Sequence, residues 1–446
     1  MSSRSSTPRV CPVNTAKKKP RTRLPGRAHS VLAALFFTAL LACDGNASKP
    51  APSTIEPGPA KANPGAEPSK AQESDAKALA PTPIQPRMAA PACDAAQPAL
   101  LALRQAAGGT RAAPKDITTL TTLLATLDAE LSGDRGHHIA AALRGKTPPK
   151  APGPRILDDR QLEALDSLDA LFALWLRAQL RHAVEDTNHA DRSLAWARAE
   201  CAWEFLSTSP TLTEALSHEA LRTIIERRFA GGRAAFSPGF HGNDDWQRIV
   251  LPSRQAIEKR IFTAAVRSLL RAAERAKKSE TSDATHGVAA RQARAAFELL
   301  RDRMKDKNTP AITAIDAMLA GPAAAIDLQM ITDALAITFA KRSRKYCSEV
   351  DSHPELIGSA AALSSVTEGQ TYSRLILPDM QLRLGAQGFS GEHYLATWDA
   401  LLEEVDVGQD SGEIHRLSEK LVRWNCTYQE LLGISECTWN RDEKHL

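Results

Sequence analysis

Residues 158–186 read DDRQLEALDSLDALFALWLRAQLRHAVED. Leu162, Leu165, Leu168, Phe172, Trp175, Leu176 and Leu180 recur at intervals of three and four, the spacing that gathers apolar side chains on one face of a helix. Asp158 followed by Gln161 is a capping-box pair, in which two side chains satisfy first-turn N–H groups reciprocally. The stretch predicts a long amphipathic helix whose apolar stripe has to be covered.

The same period runs through most of the chain from Pro91 onward. In 253–279, Ile257, Ile261, Ala265, Leu269 and Ala272 form a second stripe behind a Ser253 cap. Thr309-Pro310, His353-Pro354 and Asp410 with Glu413 mark further helix starts, the prolines standing where a first-turn N–H has no partner anyway. Pro378 is expected to end or kink a helix that begins near 355. Two-residue alternation is absent. The 446 residues are 43% hydrophobic but only 5% aromatic, with Ala and Leu supplying most apolar content, which favours close-packed helices over sheets. The expected fold is all-α, a helical-hairpin bundle or short α-superhelix.

Three stretches resemble copies of one helical hairpin. Phe172-x4-Arg177, Phe262-x4-Arg267 and Phe339-x4-Arg344 each lie on a long first helix. Each is followed by a polar turn and a second helix with Trp203-x-x-Leu206, Phe297-x-x-Leu300 or Tyr372-x-x-Leu375. The spacings of 90 and 77 residues are unequal and match no standard solenoid repeat. Any antiparallel helix pair can show such spacing, so repeat and coincidence both stand at this point.

Upstream, residues 1–42 hold eight basic residues and no acidic one, against 56 basic and 52 acidic in the whole chain, so the remainder is mildly acidic. That leaves no basic footprint for phosphate backbones, and nucleic acid is not an expected partner. Val31–Ala42 is an uncharged apolar run of 12 residues, too short for the ~20 that span a bilayer but fitting the apolar core of a secretory signal. Its ending, Leu40-Leu41-Ala42-Cys43, resembles the lipobox of bacterial lipoproteins. The resemblance implies lipidation of Cys43 and export to an oxidising compartment. The alternative is a plain signal peptide, or a short buried helix, with an incidental cysteine. Asp44 resembles an inner-membrane retention signal of some bacteria, a rule not general enough to choose between inner and outer membrane. Residues 44–90 carry nine prolines among Ala, Ser, Lys and Glu without apolar periodicity, a disordered tether reaching on the order of 140 Å at ~3.1 Å per residue. The expected organisation is a signal peptide over 1–42, lipidated Cys43 and tether over 43–90, and an all-α domain over 91–446, with subdivision points near 231–252 and 385–390.

Beyond the anchor, Cys93, Cys201, Cys347, Cys426 and Cys437 show none of the close spacings of zinc or haem sites. Disulfides are then the expectation in an oxidising space: Cys426–Cys437 first, and Cys93 with Cys201 or Cys347 second. Cys201, beside Ala202 and Trp203, reads equally as an inert buried thiol. The hairpin turns pair histidines with acids: Asp186 with His189, Asp283 with His286, and Glu349 and Asp351 with His353. Carboxylate and imidazole suit divalent metals, although the same residues are common in turns and caps. Gly391-Glu392-His393 is similar to the start of the Gly-x-His-x-x-Glu signature of imelysin-like periplasmic iron-uptake proteins, but Ala396 replaces the last Glu and the family is not carried over. Gly388-Phe389-Ser390-Gly391 lacks the last glycine of a nucleophile elbow, and Ser390 reads as a helix cap. Phosphate loops and dinucleotide fingerprints are absent.

The most irregular segment is Phe236-Ser-Pro-Gly-Phe-His-Gly-Asn-Asp-Asp-Trp246. It reads as a functional rim or a long connection, and Phe240, His241, Asp244, Asp245 and Trp246 are its candidate binding residues. The expected function is that of a non-enzymatic bacterial envelope lipoprotein, a membrane-tethered helical binding or scaffold module with an envelope protein partner and no cofactor. The alternative is a periplasmic ligand- or metal-binding protein using the 236–246 loop or the loop histidines.

Overall fold

The structure, a computed structural model, describes residues 91–131, 133–145, 156–217, 220–237, 240, 245–279, 284–408, 410–435 and 437. The signal, Cys43 and tether expectations fall on residues 1–90, outside the described residues. Among the described residues the chain forms fourteen α-helices and no strand, so the all-α expectation stands.

The opening stretch forms the helix it predicts. α4 (Asp159–Glu185) starts at N-cap Asp158, with both halves of the capping box in place: Gln161 N donates to Asp158 Oδ1 at 2.9 Å, and Asp158 N to Gln161 Oε1 at 3.1 Å. Leu165, Leu168, Phe172, Trp175, Leu176 and Leu180 are all buried. The stripe is covered by α5 (His189–Ser207), where Phe172 meets Phe205 with ring centroids 4.7 Å apart. Ahead of this pair, α1 (Pro91–Ala107), α2 (Pro114–Leu131) and α3 (Arg135–Arg144) pack in succession, ending against α4.

The second and third hairpins also pack as pairs. α8 (Asp245–Lys278) lies against α9 (Ala284–Lys305), and α11 (Leu328–Ser352) against α12 (Ala360–Leu384). Their aromatic positions are interior: Phe262, Phe297, Phe339 and Tyr372 are fully buried, and Phe339 stacks on Tyr372 at 5.7 Å. α4 packs on α9 and α8 packs on α12, which joins the pairs in chain order. Short α6 (Thr213–Ser217) and α7 (Leu221–Ala235) pack on α8, and α10 (Thr309–Ala320) on α9. α13 (Gly391–Val407) and α14 (Ser411–Leu431) close against α12 and α11. One apolar cluster runs from Cys93 to Ile434.

Two starts and one stop differ from expectation. Ser253 is a buried mid-helix residue rather than a cap. α8 begins at Asp245 and carries Pro252 within it, because Trp246 and Val250, one turn apart, are both drawn into the core. His353-Pro354 opens only a 3₁₀ turn, and α12 starts at N-cap Ser359. α12 then runs through Pro378 to Leu384, since buried Met380 and Leu384 prolong its apolar face. Close packing also dictates Gly232 on α7: a Cβ there would penetrate the Trp196 indole.

Candidate functional site

The 236–246 segment joins α7 to α8, and its aromatic residues divide between core and solvent. Phe236 packs against Trp196 at 5.9 Å, Trp246 at 5.7 Å and His189 at 6.0 Å. Trp246 is 8% exposed, with the Arg192 guanidinium 4.4 Å over its ring. The core therefore uses the Trp246 ring, and it is not displayed at the surface. Phe240 is displayed, at 37% exposure, and its N–H donates to Ser237 O at 3.2 Å. Asp245 is exposed at the start of α8, while His241 and Asp244 lie outside the described residues.

One turn into α8, Arg248 ties this end of the molecule together. It donates to Gly358 O, just before α12, and to Asp406 O at 3.0 Å near the end of α13, pairing with the Asp406 carboxylate as well. The two tied turns touch: Gly358 N donates to Val405 O at 3.1 Å, and Gly408, at φ +72°, would place a Cβ 3.3 Å from Gly358 Cα. Leu356 and Val407 stay exposed beside these turns, at 38% and 55%. Sequence reasoning missed this tie, because residues remote in the chain make it.

The histidine turns disperse their members. Asp186 lies 3.6 Å from His182 on its own helix, whereas His189 turns toward Phe236. Asp186 instead lines a cleft of about 220 Å³ with Glu130, Gln179, His182, Asp191 and Arg198. Glu130 is fixed there by Trp175 Nε1 at 2.6 Å, Gln179 Nε2 at 3.0 Å and Arg198 at 3.5 Å. His286 is a core residue whose Nδ1 meets Ala276 O at 2.9 Å, and Asp283 lies outside the described residues. Glu349 accepts from Ser365, Asp351 pairs with His415, and His353 pairs with Glu355. Among the described residues, no group of three His, Cys, Asp or Glu side chains converges to hold a metal. Ser390 caps α13, accepting from His393 N.

The cysteines form two bridges. Cys426–Cys437 closes the C-terminal end with Cα atoms 5.5 Å apart, and Cys93–Cys201 joins α1 to α5 across 108 residues. Cys347 is the free thiol among the described residues: buried, accepting from Asn425 Nδ2 at 3.2 Å, with its pKa pushed well up by desolvation. A protonated thiol without solvent access is inert.

Where the three hairpins meet lies a buried ionic network that sequence reading did not reveal. Glu258 on α8, 3% exposed, has Lys259 at 3.2 Å, Arg303 at 3.3 Å, Arg254 at 3.4 Å and Arg177 at 3.9 Å around its carboxylate. Burial alone would raise its pKa; the four cations outweigh that and hold it at about 2. Lys259 also reaches Glu368 on α12 at 3.0 Å, and Glu368 accepts from Tyr346. Arg177 and Arg303 lie over the Phe262 ring at 5.9 and 5.3 Å. The network is a lock between helices, since its carboxylates are consumed by fixed partners. Comparison of the chain with protein-family models, curated proteins and solved structures finds no match.

Proposed function

We propose that the chain is a bacterial envelope lipoprotein whose helical domain, a bundle or short α-superhelix, acts as a non-enzymatic binding or scaffold module. In this reading Cys43 carries the lipid, residues 44–90 supply reach, and an envelope protein docks on the helical domain. The supporting observation is the end held by Arg248, where Leu356 and Val407 stay exposed beside turns whose backbones are hydrogen-bonded, together with the exposed Phe240 eight residues ahead of Arg248. Apolar side chains on a pre-ordered backbone lose little entropy on docking, which is how a few anchors come to dominate an interface.

The test is Phe240→Ala with Val407→Ala in the membrane-attached protein, followed by crosslinking in cells. Partner crosslinks should disappear while helical content and membrane association persist. An unchanged set of partners removes this end from the interface. Cys43→Ala should move the protein from the membrane to the soluble envelope fraction, and continued pelleting refutes the lipid anchor. The polar cleft around Glu130, His182 and Asp186 supports a ligand-handling reading instead. Stoichiometric metal lost on His241→Ala would decide for that second reading.

A further inference from the structure

The cleft of about 220 Å³ beside Glu130 is framed by two facing helix strips. Gln179, His182 and Asp186 recur at three and four along α4, and Asp191, Leu194, Ala195 and Arg198 do the same along α5. Glu130, in the last turn of α2, meets Gln179 of one strip at 3.0 Å and Arg198 of the other at 3.5 Å, so these three mark one end. Asp186 and Asp191 mark the other end, beside the turn between the helices, where Arg192 Nε donates to Asp186 O at 2.6 Å. Gln179 and Asp186 stand seven positions apart, roughly 10 Å along the helix at about 1.5 Å per residue. Leu194 and Ala195 give the stretch between the ends an apolar wall.

The two ends present the same chemistry. Glu130 Oε2 takes the hydrogen bonds from Trp175 Nε1 and Gln179 Nε2, which leaves Oε1 with no hydrogen bond and only the Arg198 ion pair. Gln179 is 4% exposed, yet its Oε1 accepts from no donor among the described residues. At the far end Asp191 uses Oδ2 for Asn188, and Asp186 holds Oδ1 3.6 Å from His182. Asp191 Oδ1 and Asp186 Oδ2 are likewise without donors among the described residues. Acceptors withdrawn from water and left without a donor cost free energy that a ligand N–H recovers. Three carboxylates against one guanidinium also leave negative charge in excess at both ends. An ammonium group answers both demands, with three donors and a full positive charge. The cleft is smaller than the ~300–1,000 Å³ of pockets for drug-sized ligands, which restricts it to a compound of few heavy atoms.

We infer that the cleft binds a short linear diammonium compound. Glu130 and Gln179 Oε1 hold one ammonium group, Asp186 and Asp191 hold the other, and the methylene chain lies along Leu194 and Ala195. The inference rests on the ligand-handling reading of this cleft and names its ligand class; it does not depend on the docking end held by Arg248.

The test is isothermal titration calorimetry of the full chain with putrescine, the four-carbon diamine, at constant ionic strength, beside butylamine, magnesium chloride and succinate. Putrescine should bind saturably at one site, roughly tenfold or more tightly than butylamine. Asp191→Asn, at an exposed position, and Glu130→Gln, which keeps an acceptor for Trp175, should each weaken putrescine by roughly tenfold or more with helical content unchanged. Equal affinities for putrescine and butylamine, or a putrescine affinity unchanged in both variants, overturn the inference. So does magnesium binding as tight as that of putrescine, which assigns a site for simple cations. Saturable succinate binding that is lost in Arg198→Gln, with no response to putrescine, overturns the diammonium assignment and leaves the ligand-handling reading standing. No response to any of the four compounds removes both.

Discussion

Glu258→Gln removes one charge from the point where α4, α8 and α9 meet, and leaves Arg177, Arg254 and Arg303 without their common partner. Lys259 keeps Glu368. The depression of the Glu258 pKa from 4.5 to about 2 corresponds to about 3 kcal/mol, at about 1.4 kcal/mol per pKa unit, and breaking a buried pair by removing one member costs a similar amount. Urea unfolding followed by far-ultraviolet circular dichroism at pH 7 should therefore show the variant about 3 kcal/mol less stable. A depressed carboxylate stabilises the fold above its unfolded pKa and loses that contribution as the pH falls through its folded value. The difference between parent and variant should accordingly close between pH 4.5 and about 2. Asp166 works in the opposite sense: burial, then Asp169, raise its pKa to about 6, so its protonation adds stability on acidification. Subtracting the Glu258→Gln curve from the parent curve cancels that term. A loss below about 1 kcal/mol at pH 7, the range of solvent-exposed pairs, would refute the assignment of Glu258 as a buried lock.

Other expectations follow from single contacts. Gly232→Ala drives a methyl group into Trp196 and should destabilise by about 2–3 kcal/mol in the same urea assay, with the effect relieved by Trp196→Phe. The Cys93–Cys201 bridge closes 108 residues, so Cys93→Ser with Cys201→Ser should cost about 4–5 kcal/mol by loop entropy, and non-reducing peptide mapping of the parent should recover the pair crosslinked. Cys347 should resist alkylation in the native state and react stoichiometrically in urea; rapid native labelling would contradict its burial.

Local signals made the helices legible. The Asp158–Gln161 box and the 158–186 stripe act within a turn or two of the chain, so the residues that specify α4 are the residues that build it. The hairpin pairing was legible for the same reason, with Phe172, Phe262 and Phe339 on faces that had to be covered. Local start and stop signals misled where tertiary burial overrode them: Trp246 and Val250 hold a helix ahead of Ser253, and Met380 and Leu384 hold one past Pro378. Cys201 read as bridge or inert thiol until the packing of α1 near α5 decided for Cys93. The candidate binding segment was legible only as an irregular stretch. Which of its aromatic residues faces solvent depends on Phe236 and Trp196, which come from different helices. The Glu258 network was illegible, because it arises only where helices far apart in sequence come together.

The Cys93–Cys201 bridge has a mechanical consequence. Cys93 stands at the very beginning of α1, so tension applied to the chain ahead of Pro91 enters α5 almost at once through a covalent bond. α1 is bypassed as a load-bearing element and cannot be peeled away turn by turn. The load is carried instead by the apolar seam between α4 and α5, where Phe172 meets Phe205. A chain pulled from that side resists as a clamped joint, failing by the sliding of two long helices past each other, where an unbridged first helix would unravel.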